Sequence, residues 1–375
     1  MKILFIDTYY EDFQKAFYKK NKNLKKCSYE VQLRALFDAS FGTSDSYSHY
    51  INKEKIIAKD LLVNCVYLQK RWAKENNLNF PNLRLKIPHK FYKIPIFSKS
   101  FSILPDLYNI AKLQIEYFKP DILYCQDLSF FAGSFLKEIK ENTNIKLIVG
   151  QIACPLPPLS FLKPFDLILT SFPHFVEKFN QKGIKSHYLK IGFDHRNLSK
   201  INNVKRDINF SFVGGISKHH KSALQTLNYL VLNQNLQVYG YGANKLPFYS
   251  LMRKKHCGEK WGLDMYDILS RTKISFNRHI DISLNNANNM RLYEATGMGS
   301  LLLTDHKENL NKLFEIDKEI VTYSSKEEAS EKVKYLIENP IKASEIALSG
   351  QKRTLKDHTY EIRMRELLEI LKKYI

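Results

Sequence analysis

Short apolar runs that end on a polar or small residue recur along this chain, with helical spacing between them. KILFID (2–7), DILYC (121–125), KLIVG (146–150), DLILT (166–170) and INFSFV (208–213) are of this kind. Runs without in–out alternation read as strands buried on both faces. Further short runs stand at 187–191, 237–239, 273–277 and 301–304. Apolar residues at helical spacing cover 28–41, 53–68, 106–118, 130–140 and 173–182, then 222–233, 290–297, 326–339, 340–349 and 360–374. Strands alternating with helices predict a doubly wound parallel sheet, hence an α/β chain. At about 100–200 residues per domain, 375 residues suit two such domains. The polar stretch 193–206 lacks periodicity and is the expected hinge. It separates residues 1–192 from residues 207–355, and 356–375 form a final amphipathic helix.

Charge and cysteine usage narrow the classes. The net charge is +20, and the first 100 residues alone carry 19 Lys+Arg against 9 Asp+Glu. Such a field attracts anionic partners. Yet the basic residues form no zinc-finger, helix-turn-helix or aromatic RNA-binding pattern, so no nucleic acid is expected. The five cysteines include no CxxC pair, which argues against a zinc or redox centre. No run reaches the roughly 18 apolar residues of a membrane span. The opening MKILFIDTYYED reads as a strand, not a leader, so a cytoplasmic location is expected. Residues 81–101 mix Lys, proline and aromatics; they are expected to form either an irregular loop or a contact with an anionic membrane or lipid-linked acceptor, placing the protein peripherally on the inner face of the membrane.

Candidate chemistry gathers at predicted strand ends, where doubly wound sheets bind ligands. Gly214 and Gly215 follow 208–213 and precede a helix, an arrangement that suits a phosphate and equally suits a plain turn. Lys218, His219, His220 and Lys221 add charge beside it or form a solvated basic face. Tyr241 follows the strand 237–239, and Asn277 and Arg278 end the strand 273–277. Asn288 or Asn289 would cap the next helix. Arg291 would then stand in its first turn, against the helix dipole, which a bound anion or a simple pair with Glu294 would explain. The first strand lacks G-x-G-x-x-G, which argues against a dinucleotide-dependent oxidoreductase.

The stretch N-x-R-x-x-E-A-x-G-x-G-x-L-L-L-T-D, from Asn289 to Asp305, resembles the C-terminal domain of the "glycosyl transferases group 1" families, most closely the branch with CgeB proteins. The resemblance covers residues 205–350 and extends loosely to 120–127 and 165–194. It implies a GT-B architecture: two Rossmann-like doubly wound domains facing a cleft, the first binding the acceptor, the second a nucleotide sugar, and the last helix crossing back to the first domain. It implies a glycosyltransferase of the hexosyl-transferring, metal-independent type, with no cofactor and a UDP-, GDP- or dTDP-sugar donor. The acceptor would be a glycan or lipid-linked molecule of surface polysaccharide or glycoconjugate synthesis. By the resemblance, Glu294 would hold the ribose hydroxyls, and Gly214, Gly215 and Arg291 the diphosphate. Many relatives carry a glutamate eight residues before Glu294; here that residue is Asn286. The histidine motif frequent at Gln126–Asp127 is also absent.

The expected donor-binding set is Gly214, Gly215, Lys218, Tyr241, Asn277, Arg278, Asn289, Arg291 and Glu294. No Asp-x-Asp metal motif stands in the chain. An inverting transfer needs a general base, for which Asp127 is the candidate, unless it only caps the following helix; Glu11 and Asp12 are alternatives. A binding protein of the same fold without catalysis is the rival reading.

Overall fold

The computed structural model describes residues 1–79, 104–201, 205–216 and 221–375. The segment 81–101, like Lys218, His219 and His220, lies outside the described residues. The chain divides into two compact units.

The first unit comprises Met1–Thr170, Lys178–His187 and Leu367–Ile375. Its strands are β1 (Lys2–Asp7), β2 (Ile57–Leu62), β3 (Ile122–Cys125), β4 (Leu147–Ile152), β5 (Leu167–Thr170) and β6 (Ser186–Tyr188), in the order β2-β1-β3-β4-β5-β6. The β1–β2, β1–β3, β3–β4 and β4–β5 pairs run parallel. Helices α1 (Glu11–Lys20), α2 (Tyr29–Asp38), α3 (Ser46–Lys53), α4 (Val66–Glu75), α5 (Leu104–Phe118) and α6 (Gly133–Asn142) connect them. All four residues of β3 and of β5 are buried, as continuous apolar strands require.

One expectation is corrected here. Residues 53–68 are not a helix: α3 ends at Lys53, β2 follows, and α4 begins at Val66. Ile57 and Lys59 of β2 are exposed while Ala58 and Asp60 are buried, the alternation of an outer strand. Fused with the ends of its neighbours, this six-residue pattern imitates helical spacing.

The second unit comprises Ser171–Glu177 and Tyr188–Glu366. Helix α7 (Pro173–Asn180), which belongs to this unit up to Glu177, and helix α8 (Asn197–Lys200) precede its sheet. Strands β7 (Ile208–Val213), β8 (Gln237–Tyr239), β9 (Thr272–Asn277), β10 (Leu301–Asp305) and β11 (Val321–Tyr323) are ordered β11-β10-β9-β7-β8, all pairs parallel. Helices α9 (Lys221–Gln234), α10 (Leu251–Lys254), α11 (Leu263–Arg271), α12 (Met290–Gly297), α13 (Lys326–Glu338), α14 (Pro340–Asp357) and the part of α15 (Tyr360–Leu371) up to Glu366 complete it. Successive β10 residues serve opposite faces. Leu301 and Leu303 pack with Phe276, Val333 and Ile346, while Leu302 packs with Leu269, Leu292 and Phe314.

Helix α14 runs past the expected stop at 349. Gly350 is inside it because a Cβ there would lie 2.2 Å from the Glu319 carbonyl oxygen. The glycine marks a close approach, not a helix end. No helix among the described residues is long and apolar enough to cross a membrane.

The start of α15 is tied down by a buried guanidinium. Arg363 is 1% exposed and donates to the Ile191 and Asp357 carbonyls, to His358 Nδ1 and to Glu366. His358 in turn bonds the Leu313 carbonyl through Nε2 at 2.8 Å, so it is held as the neutral Nε2–H tautomer. Burial pushes its pKa down to about 4, the Leu313 carbonyl opposes this, and the charges of Arg363, Lys190 and Arg353 push it further. The folded pKa lies below the unfolded one, so protonation favours unfolding as pH falls from 6.5 towards 4. We predict that acidification over this window removes up to about 3 kcal/mol of stability through His358. Chemical denaturation of His358→Gln should show a flatter pH profile than wild type; parallel profiles would remove His358 from this role.

Candidate functional site

Each sheet places its topological switch point where the second strand in sequence lies on one side of the first and the third on the other. In the second unit this point lies between β7 and β9, and in the first unit between β1 and β3. Ligands of doubly wound sheets bind outside the carboxyl ends of such strands.

In the second unit, the turns after β7 and β8 are fastened to one another. Gly214 N–H donates to the Tyr239 carbonyl at 3.1 Å and Ile216 N–H to the Tyr241 carbonyl at 2.8 Å. The contact is so close that a Cβ on Gly240 would lie 2.0 Å from the Gly214 carbonyl oxygen. Gly240 and Gly242 also take positive φ, of 122° and 92°. Gly215 faces the Tyr241 ring, which stacks on Trp261 at 5.1 Å between centroids. The glycines after β7 therefore have a packing reason to be glycine, independent of any phosphate.

After β9 the polar groups form a chain. Asn277 Nδ2 donates to Thr304 Oγ1 at 2.9 Å, and Asn277 Oδ1 accepts from Asn289 Nδ2 at 3.0 Å. Asn289 Oδ1 accepts from the Leu292 N–H, capping α12. Tyr323 Oη donates to the Asn277 carbonyl. Arg278 reaches Thr226 Oγ1 on α9 at 3.2 Å. Arg291 and Glu294 pair at 2.9 Å with side chains 14% and 6% exposed, the carboxylate buried and the guanidinium half-buried over it. The partner carboxylate offsets the unfavourable place of Arg291 in the first turn. Tyr266 also donates to Glu294, at 3.3 Å. A carboxylate has about four acceptor positions, so Glu294 retains capacity for further hydroxyls.

The other loop amides are committed locally. Asn285 donates to Glu308, Asn288 to the Ser171 carbonyl, and Asn286 meets His174 Nδ1 at 3.1 Å. Asn309 brackets Ala287 by accepting from its N–H and donating to its carbonyl.

Three residues outside the expected donor-binding set stand at this edge. His279 Nδ1 lies 2.7 Å from Asp305 Oδ1, which also accepts the His279 backbone N–H at 2.9 Å. Lys307 Nζ is 3.4 Å from Asp305 Oδ2. Burial opposes the Asp305 anion, yet the hydrogen bonds from His279 and the charges of His279 and Lys307 hold the carboxyl down at about 2. The signal in sequence was their position: His279 two residues after β9, Asp305 closing β10.

In the first unit, Asp7 closes β1, and Asp127 stands two residues after β3. Asp127 accepts from the Thr8 hydroxyl at 2.7 Å and from the Ser129 N–H and hydroxyl at 2.8 and 2.6 Å. Helix α6 begins only at Gly133, so Asp127 closes a turn and caps no helix. The Thr8 N–H donates to Asp7 at 2.7 Å, so Thr8 bridges the two carboxylates. Burial pushes the Asp7 carboxyl up, the Thr8 N–H pulls it back, and Asp127 pushes it again, to about 7. Glu11 and Asp12 are exposed in the first turn of α1, Glu11 pairing with Lys15. Among the described residues, no three His, Cys, Asp or Glu side chains gather to hold a metal ion.

Residues 219–369 match the family described as "Glycosyl transferase-like". No curated protein matches the chain by sequence. Solved structures match over the whole chain. Anabaena HepE in complex with UDP-glucose is 12% identical, with 100% of both chains covered and a TM-score of 0.60. Sucrose-phosphate synthase from Thermosynechococcus elongatus is 9% identical, covering 100% of this chain and 98% of that one, with a TM-score of 0.59. A glycosyltransferase from Rickettsia africae is 12% identical at the same coverages, with a TM-score of 0.58. At such identities the likeness is one of fold, and the fold is GT-B.

Asn289 serves two elements at once, and its loss should be felt in both. Asn289→Ala is expected to cost about 1–2 kcal/mol, removing the cap and the bond to Asn277. Asn289→Asp keeps the cap acceptor but places a carboxylate against Asn277 Oδ1, so it should recover only part. Thermal unfolding measures both, and an unchanged midpoint for Asn289→Ala would contradict the double role.

Proposed function

We propose that this chain is a glycosyltransferase that moves a sugar from a nucleoside-diphosphate donor to a hydroxyl of a glycan or lipid-linked acceptor. One observation carries the reading. In a GT-B chain matched over 219–369 to a glycosyl transferase-like family, polar side chains collect at the β7/β9 switch point. HepE, of the same fold, is described with UDP-glucose. Glu294 receives the ribose hydroxyls. The turn Gly214–Gly215, the start of α9, Arg278 and Arg291 face the diphosphate; Tyr241 borders it, and Asn277 and Asn289 fix the edge. Hexosyl transfer without a bound metal, a role in surface polysaccharide synthesis, and peripheral attachment to an anionic membrane belong to the same proposal. Developing negative charge on the leaving diphosphate is then met by cationic side chains and helix N–H groups.

On the acceptor side, the Asp7–Asp127 pair supplies the base. Asp127, with three hydrogen bonds, is held in place beside Asp7, whose carboxyl is raised by burial and further by this neighbour. Asp7, near 7, takes the hydroxyl proton as the new glycosidic bond forms.

Thermal shift with UDP, GDP, dTDP, CMP and ADP tests the donor site. A nucleotide at 100 times its dissociation constant adds about 2.7 kcal/mol, a rise of a few degrees. Glu294→Ala should abolish it, and a rise kept in that variant would remove Glu294 from the ribose.

The pH dependence of kcat/KM tests the base. Activity should appear as pH rises through about 7, where Asp7 loses its proton. Asp127→Asn removes the repelling charge and should move that limb to lower pH, while Asp7→Asn should abolish transfer with donor binding intact. Full turnover in Asp7→Asn would assign proton acceptance to the leaving phosphate instead, as in a retaining transfer.

A further inference from the structure

His279 is buried, with 3% of its surface exposed. Its Nδ1 is engaged by Asp305, and its backbone N–H binds the same carboxylate oxygen, so the ring has one orientation. Nε2 has no hydrogen-bond partner among the described residues. The hydroxyl of Ser283, four residues on and 1% exposed, likewise has no hydrogen-bond partner among the described residues. Each such group costs free energy, about 1–3 kcal/mol, so a fold that retains two of them in one short loop has a use for them or a water there.

Position identifies the use. His279 follows β9, one of the two strands that flank the switch point; Gly214 follows the other. The neighbouring amides and phenol at this edge are occupied: Asn277 by Thr304 and Asn289, and Tyr323 by the Asn277 carbonyl. Lys307 meets the other oxygen of Asp305, and Arg278 and Asp281 stand one residue before and two residues after the imidazole. An imidazole whose Nδ1 is held by a carboxylate presents Nε2 as a charge-assisted donor once protonated, the role it plays against anionic oxygens.

We infer that His279 is a further donor-binding residue, whose Nε2–H bonds the diphosphate of the nucleotide sugar, with Asp305 as its positioning residue. This rests on the donor reading proposed above.

Titration calorimetry tests it with UDP, GDP, dTDP and ADP, each against its own nucleoside. For the diphosphate that wild type binds, His279→Ala should weaken affinity by about tenfold or more and leave the nucleoside unchanged. His279→Gln, whose amide can donate from a similar position, should recover part of the loss and keeps the site polar should the alanine variant fold poorly. Asp305→Asn should weaken the diphosphate selectively but less. Unchanged diphosphate affinity in His279→Ala would overturn the inference and assign the orphan nitrogen to a buried water. Equal loss of nucleoside and diphosphate would also overturn it, leaving a structural role. Wild-type binding of none of the diphosphates would overturn the donor reading, and this inference with it.

Discussion

A parallel sheet covered on both faces leaves one kind of place for polar chemistry: where its strands stop. Every residue of β3 and β5 is buried, and β10 divides its leucines between two apolar layers. Each strand must therefore exchange apolar for polar residues within one or two positions of its end. Asp7, Asp127, Asn277, Arg278, His279 and Asp305 all stand at such exchanges. The same constraint that builds the core assembles the candidate sites.

What keeps those ends in place is an economy of amides. Asn277 and Asn289 join a strand end, a neighbouring strand and a helix start through one run of donors and acceptors. An aspartate at either position would lose a donor, and an aliphatic residue would leave a partner unsatisfied. The remaining asparagines of this loop hold backbone or neighbouring side chains. The asparagine-rich composition is thus largely architectural, and the groups left to act on a ligand are the cationic and acidic ones around it.

Much of the fold was legible in the sequence because buried strands and amphipathic helices carry distinct periods. The helix 290–297 could be placed from residue types alone and its cap narrowed to Asn288 or Asn289, of which Asn289 is the one that caps it. What failed were short elements and glycines. An outer strand with one exposed face, such as β2, has too few residues to separate a period of two from one of 3.6. Gly350 sits inside a helix because of the Glu319 carbonyl, a neighbour distant in sequence that no local pattern reveals. The candidate site was legible in part. Glu294 and Arg291 stood out, but the burial of the Glu294 carboxylate did not. Asp127 was chosen for its place after a strand, but nothing local showed that burial would raise the carboxyl of Asp7 beside it. His279 escaped notice because its significance lies in a contact made 26 residues away.

The stack of Tyr241 on Trp261 has an optical consequence. The chain contains only two tryptophans. Trp72 packs in the first unit against the cluster of Ala73, Leu107 and Ile110, while Trp261 leans on the ring that borders Gly215. With Trp72 replaced by phenylalanine, emission would come from Trp261 alone. The turn after β7 would then carry its own built-in fluorophore, reporting on that one loop without any added label.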